Sequence, residues 1–336
     1  MLKRQGLSLI ICLLALLCAS KAFSEWQQHS FSTMGTNIFV EVYHPQAEIR
    51  DQAIAAVVAE MERINQQYST YIETSELSQL NKVAAARAEL TSTNLAMQGV
   101  KVSQELFDLL VLSKEISKLT QGAFDVTYAS VGYLYSYPDK QKPSDLEIAA
   151  LLEAINYQHL ILNEQNTSVS FANKDVKIDL GGIAKGFAVD NAIEILQKMG
   201  INNALVTAGG DTRLLGDRLG KPWIVGIRDP RDREKQAVVI PMAESAMSTS
   251  GDYERYFEQD GVRFHHILSP KTGKSTYEVQ SVSIIGPQSV YNDGLSTAVF
   301  VMGLEKGIGL INSLPEFEAI VMDNNRRMHY SDGLGQ

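Results

Sequence analysis

Cysteine is almost absent from this 336-residue chain: the only two, Cys12 and Cys18, sit in its first 24 residues. From residue 25 onward there is no thiol, which excludes disulfides, cysteine nucleophiles and thiolate metal sites together. A chain of this size can be held by its core without cross-links, even in an oxidising compartment. Positive charge is in deficit as well. Lys and Arg number 30 against 39 Asp and Glu, for a net charge of −9. Residues 1–24 hold the cations Lys3, Arg4 and Lys21 and no acid, so the remainder stands at −12. An acidic protein of this kind is a poor partner for nucleic acid or anionic lipid, although it can host a divalent cation. Internal repeats and Pro- or Ser-rich linkers are missing too, and so are the GxxxxGK[ST] and GxGxxG phosphate-binding patterns.

The first 24 residues read as a segment separate from the fold. Lys3 and Arg4 give a basic start, Leu7 to Leu17 is apolar, and Ala22-Phe23-Ser24 supplies small residues beyond it. That order is a secretory signal peptide, residues 1–24, cleaved after Ala22 or Ser24. A bilayer-spanning helix needs about 20 apolar residues, more than this run provides. An uncleaved anchor or a lipid-bearing Cys18 are the alternatives, and Leu17 before Cys18 is large for a lipidation signal. Residues 25–336 are expected to form one periplasmic globular unit with two lobes.

Hydrophobic spacing outlines its elements. Met34-Gly35-Thr36 reads as a turn into a strand with Ile38, Val40 and Val42 on one side. Helical stripes run over 49–67 and 94–120, with a polar loop at 69–81 between them. Ser144 to Glu147 is a capping box opening a helix to about 155. Residues 176–180 read as a strand, 183–199 as a helix closed by Gly200, and 292–302 as a further helix. Strands are expected at 203–208, 223–228, 238–241, 263–268 and 282–285. Strands and helices do not alternate as βαβ units, so the fold class is α+β, a mixed, largely antiparallel sheet with packed helices and a cleft between lobes.

Several segments carry the residue types that chemistry needs. In Asp179-Leu180-Gly181-Gly182-Ile183-Ala184-Lys185-Gly186 a carboxylate ends a strand, two glycines turn the chain, and a helix opens with Lys185 in its first turn. Helix N-terminal amides and a mobile ammonium suit phosphate, although a plain strand-turn-helix reads the same way. Asp293 and Thr297 are four apart and share a helix face, offering hard oxygen ligands for Mg2+, or else a helix N-cap and a satisfied threonine. His265 and His266 are adjacent in a strand-like run, so only one can face a given pocket. Gly209-Gly210-Asp211 reads as a hairpin turn, and Gly122-Ala123-Phe124-Asp125 follows a long helix.

Taken in order, these stretches resemble the FAD:protein FMN transferase family, also called the ApbE family. They are Met34 to Thr36; Ser69-Thr70-Tyr71 with Ser75 to Asn81; Gly122 to Asp125; Asp179 to Gly186; Ala208 to Asp211; His266 to Gly273; and Asp293 to Thr297. The chain departs from the pattern at Ser269, where the family often has Asp, which removes an acidic role there. The resemblance implies that Met34, Tyr71, Ala123, Phe124, Asp125, Asp179, Lys185 and Leu268 contact FAD. It implies that Mg2+ is held by the Gly182 carbonyl with Asp293 and Thr297. The implied reaction cleaves FAD and links FMN to a Ser or Thr hydroxyl of an exported or membrane-bound acceptor flavoprotein, releasing AMP. An unactivated hydroxyl needs a base. His266 is the first candidate, since it shares a strand face with Leu268, and Asp293 is the second. An FAD pyrophosphatase would use the same residues with water as acceptor. A non-catalytic flavin-binding protein would need no metal ligands.

Overall fold

The computed structural model describes residues 26–88 and 99–335. The expected signal peptide lies outside the described residues. Strands β1 (Trp26–Thr33), β2 (Thr36–Tyr43), β6 (Asn203–Ala208), β7 (Asp211–Leu215), β10 (Ala246–Gly251), β13 (Val279–Gly286), β14 (Glu318–Asp323) and β15 (Met328–Tyr330) form one eight-stranded sheet in that spatial order. Every pairing in it is antiparallel. A small sheet is made of β3 (Val100–Lys101), β4 (Leu160–Asn163) and β5 (Ser168–Phe171), and two hairpins of β8 (Trp223–Asp229) with β9 (Asp232–Met242) and β11 (Tyr256–Gln259) with β12 (Val262–His265). The fold is α+β, as the absence of βαβ alternation predicts.

Eight α-helices are described: α1 (Ala47–Tyr68), α2 (Glu76–Ala88), α3 (Gln104–Leu119), α4 (Ala129–Gly132), α5 (Asp145–Leu151), α6 (Ala184–Lys198), α7 (Ser289–Met302) and α8 (Leu304–Asn312). The stripe Ile54, Val57, Met61, Ile64 and Tyr68 buries one face of α1, and Ile38, Val40 and Val42 bury one face of β2. They meet in the main core, to which α3, α6 and the small sheet also contribute. On the opposite sheet face, Trp223, Val225 and Ile227 of β8 pack on Leu214, Met247 and Ile320.

The structure corrects the sequence reading at several points. Residues 76–81, expected as the end of a polar loop, instead open helix α2, which buries Leu77, Leu80 and Ala84 on one stripe. Helix α3 starts at Gln104, not near 94, because Ser103 caps it by accepting from the Leu106 amide at 3.2 Å. Residues 176–180 are extended but belong to no strand. The Asn81 carboxamide takes the place of a strand partner, donating to Ile178 O at 2.9 Å and accepting from Ile178 N at 2.8 Å. Strand β12 ends at His265, and Leu268 bridges only to Ser275. Helix α7 begins at Ser289, so Asp293 lies inside it and is not its cap.

That cap comes from another helix. Asp190 of α6 accepts from the amides of Ser289 (3.0 Å) and Val290 (2.9 Å), the first two of α7, and pairs with Arg213 of β7 at 2.6 Å. One turn earlier, Gly186 lets α6 and α7 touch. A Cβ there would fall 2.3 Å from Ser289 O and 2.9 Å from Asp293 Cβ. Gly186→Ala should therefore destabilise the fold by roughly 1–3 kcal/mol through overpacking. Gly309→Ala in α8, where nothing lies within 4 Å, should be neutral or stabilising by up to about 1 kcal/mol. Urea unfolding of the two variants compares them, and equal stabilities would refute the close crossing.

Candidate active site

A cleft of about 710 Å³ opens between the β1–β2 turn and the loops that follow α1, α3, β10 and β12. Its rim is set by turn chemistry. Met34 and Gly35, at φ 52° and 69°, are the two central residues of the β1–β2 hairpin, with the positive φ at both that a tight type I′ connection requires. Across the mouth stands Tyr71, 82% exposed, whose hydroxyl accepts from Arg255 Nη1 at 3.3 Å. Ala123, Phe124 and Leu268 are buried apolar wall residues, and all of the expected FAD-contact residues line this one cleft.

Two of its carboxylates are largely engaged within the protein. Asp125 accepts from Thr127 N (2.8 Å) and Thr127 Oγ1 (2.6 Å) on one oxygen and from Tyr157 N (2.7 Å) on the other. Burial pushes its pKa up against those hydrogen bonds. Asp179 closes the Gly181-Gly182 turn by accepting from Gly181 N at 2.6 Å, and its second oxygen accepts from Thr70 Oγ1 at 2.9 Å. Tyr128 Oη sits 3.4 Å from Asp179, and burial, then that charge, push the phenol pKa well up, so it remains a donor.

Four amides around the glycine turn, those of Gly181, Ile183, Ala184 and Gly186, are engaged within the protein. Ile183 N and Ala184 N both donate to Leu180 O, and Gly186 N donates to Asp293 Oδ2 at 3.1 Å. The Gly182 and Lys185 amides donate to no acceptor among the described residues, and they remain for an anion together with the side chain of Lys185. Its ammonium lies 2.9 Å from Gly181 O and 3.3 Å from both Asp211 Oδ2 and Asp293 Oδ2. Burial opposes its charge, but the two carboxylates outweigh that and raise its pKa. Burial pushes Asp211 up, as does the charge on Asp293.

Gly182, Asp293 and Thr297 all line this cleft. A Cβ on Gly182 would lie 3.3 Å from Thr297 Oγ1 and from the Phe124 ring, so only glycine brings this backbone so close. Thr297 Oγ1 is 3.2 Å from Ser250 Oγ of β10. Asp293 is 3% exposed, with Oδ2 held as above and no hydrogen bond to Oδ1 from the described residues. Among those residues no group of three or more His, Cys, Asp or Glu gathers as a metal cluster. The set on offer is a carboxylate oxygen, a hydroxyl and a carbonyl, which suits a hard cation such as Mg2+ that keeps part of its water and binds phosphate oxygens.

The histidines divide as expected. His266 lines the cleft, its amide donating to Arg255 O at 3.1 Å and its Nδ1 3.3 Å from the same oxygen. A carbonyl only accepts, which puts the proton on Nδ1 and leaves Nε2 as the acceptor. His265 is 1% exposed, bonded through Nε2 to Thr276 O at 2.5 Å, with its ring edge-on to Tyr277 and Phe300. Sequence reasoning missed Arg255, which carries no motif signal, and read Asp211 only as a turn residue.

Comparison with known proteins agrees with this geometry. The family model described as "ApbE family" matches residues 34–321. The chain is similar to the FAD:protein FMN transferase of Vibrio cholerae, 33% identical over 96% of this chain and 95% of the relative. It is also similar to that of Haemophilus influenzae, 33% identical over 88% and 86% respectively. Among solved structures it resembles an ApbE protein of Thermotoga maritima, with TM-score 0.82 and 32% identity over 92% of this chain and 98% of that one. The flavin transferase ApbE of Vibrio cholerae superposes with TM-score 0.78 and 30% identity over 92% and 97%.

The surroundings of His266 differ from the ordinary imidazole assumed from sequence. Desolvation by the cleft wall, then the Arg255 guanidinium, push its pKa down to about 3. Between that value and the unfolded value of about 6.5, the unfolded chain binds the extra proton, so this group favours the fold increasingly as pH rises through that window. In FAD-free protein the His266 ring resonances should not titrate between pH 5 and 8. An NMR midpoint near 6.5, assigned with a His266→Ala control, would contradict this.

Proposed function

The chain belongs to the ApbE family and is a transferase, and we propose that it is a Mg2+-dependent FAD:protein FMN transferase acting on an exported acceptor protein. The observation that carries the reading is that Lys185, ion-paired to Asp293, lines one cleft with Gly182 and Thr297, whose backbone and hydroxyl lie close together. A diphosphate needs a fixed cation and a hard-oxygen metal site side by side, and both are offered here. Gly182 O, Asp293 Oδ1 and Thr297 Oγ1 would hold the cation. When bound, it supplies charge stabilisation on the pyrophosphate as the P–O bond breaks.

The residues of the chain do the rest. Phe124, Ala123 and Leu268 offer apolar surface to flat rings, and Tyr71 with Met34 flanks the entrance. Lys185 supports the pyrophosphate charge. His266 Nε2 takes the proton of a Ser or Thr hydroxyl as its oxygen bonds to the FMN phosphorus. The bond to the AMP phosphate oxygen breaks, and AMP leaves with that electron pair. An imidazole with a pKa near 3 is a weak base. The dianionic pyrophosphate, once seated, raises that pKa toward the working pH. The base is therefore strongest when substrate is present.

Incubation with FAD, Mg2+ and a candidate acceptor, read by mass spectrometry, should give acceptor bearing FMN together with AMP. Formation of FMN and AMP alone, whether or not acceptor is added, would make the protein an FAD pyrophosphatase instead. His266→Ala should slow single-turnover transfer by about 10²–10⁴-fold with FAD still bound, and His265→Ala should do little by comparison. Asp293→Ala should abolish Mg2+ binding measured by calorimetry. If neither histidine matters, proton removal falls to Asp293.

Residues 1–24 support export to the periplasm. N-terminal sequencing of protein from the envelope fraction should read from just after Ala22 or Ser24. A lipid-modified start at Cys18, or an intact Met1, would overturn that placement.

A further inference from the structure

Asp211 has no place in the chemistry above. It is 2% exposed, does not line the cleft, and has Lys185 as its ion-pair partner. A buried carboxylate costs folding energy unless it is paired, so its position behind Lys185 calls for a physical reason. Lys185 Nζ sits midway, 3.3 Å from Asp211 on the sheet and 3.3 Å from Asp293 on α7. Asp293 is therefore claimed twice, by the ammonium on Oδ2 and by the divalent cation that the proposed reaction requires. Both claimants are positive, and they repel across one carboxylate. Without a second carboxylate the ammonium would have Asp293 as its one anionic partner, beside the Gly181 carbonyl, and compete with the metal.

We propose that Asp211 is a positioning residue that acts through Lys185, holding its ammonium partly off Asp293 so that a divalent cation can take that carboxylate. The geometry keeps Asp211 fixed for this task. It follows Gly209 and Gly210, where the chain turns from β6 into β7. A Cβ on Gly210 would fall 2.4 Å from Thr249 O, and Thr249 N donates to Gly210 O at 3.0 Å, so the turn is clamped against β10. Asp211 itself pairs in register with Ser248. Lys185, on a flexible stem, is the only mobile member of the three. When a cation arrives at Asp293, the ammonium shifts toward Asp211 and stays neutralised beside the incoming pyrophosphate.

The inference rests on the divalent-cation reading, and a double-mutant cycle separates the two. Mg2+ is titrated calorimetrically at pH 8 into wild type, Asp211→Asn, Lys185→Met and the double variant, each with and without saturating FAD. Asp211→Asn should weaken Mg2+ binding at least 10-fold in the wild-type background and less than about 3-fold in the Lys185→Met background. Lys185→Met alone should bind Mg2+ at least as tightly as wild type while losing FAD affinity in the presence of a chelator. Equal losses in both backgrounds would mean that Asp211 acts on the metal directly, and no loss in either would leave it without this role. Should Asp211→Asn not fold, weakened Mg2+ binding in Lys185→Met overturns the proposal by itself. Absence of Mg2+ binding in the wild type would instead sink the cation reading.

Discussion

The contact on which the site depends is the crossing of α6 and α7 at Gly186. Two helices rarely approach until backbone touches backbone, and here they do so because one residue has no side chain. The Gly186 amide, which lacks a carbonyl partner in the first turn of its own helix, donates to Asp293 on the next. Asp190, four residues on, caps the start of α7 in return. Each helix thus satisfies an unfilled end of the other. The exchange fixes their relative rotation, and with it the distance between Lys185 and Asp293. Thr297, one turn beyond Asp293, is carried to Gly182 by the same rotation.

Charge is arranged in the same economical way. A chain with net charge −9 has to accept a substrate bearing a pyrophosphate. It does so by concentrating a few cations where the anion would sit. Lys185 points in from the floor and Arg255 spans the mouth, its Nη2 3.6 Å from the Cβ position of Gly35 and its Nη1 on Tyr71. The acids near them are mostly occupied, Asp125 and Asp179 by protein donors and Asp211 by Lys185. Carboxylates already engaged this way repel an incoming phosphate less than free ones. Burial first, and then the same guanidinium that favours an anion, disfavour a protonated His266.

Much of this was legible in the sequence wherever a local rule decides the structure. The Met34-Gly35 turn, the Ser144–Glu147 capping box, the Gly200 helix stop and the alternation in β2 all depend on neighbours within a few residues. The separation of His265 from His266 survived although β12 ends between them and His266 sits at a bend. What was not legible depends on distant partners. The segment 176–180 looked like a strand because its residues are alternately buried, but its partners are the Asn81 carboxamide 97 positions away, the Ser130 hydroxyl and Val126 O. The glycine turn looked like an amide cradle because such turns expose N–H groups, yet here Leu180 O and Asp293 take three of them, those of Ile183, Ala184 and Gly186. Arg255 has no local signature at all, and its role comes from the folding of β10 and β12 around it.

The same distinction bears on how the site is assembled. Lys185 comes from a helix on one side of the core, Asp293 from a second helix, and Asp211 from the sheet beneath them. Ser250 of β10 ties the sheet to α7 once more, with its hydroxyl 2.8 Å from Ser296 Oγ and 3.2 Å from Thr297 Oγ1. Lys185, Asp211, Ser250 and Asp293 are far apart in sequence, so none of the distances between them exists until the sheet has its register and both helices have docked. A one-residue slip of β7 against β10 would turn Asp211 to the opposite face of the sheet and leave Lys185 to Asp293 alone. Register of a central antiparallel sheet is therefore a determinant of the chemistry here. The clamp of Gly210 against Thr249, which costs the chain a residue with no side chain to pack, is the local device that holds that register next to the cleft.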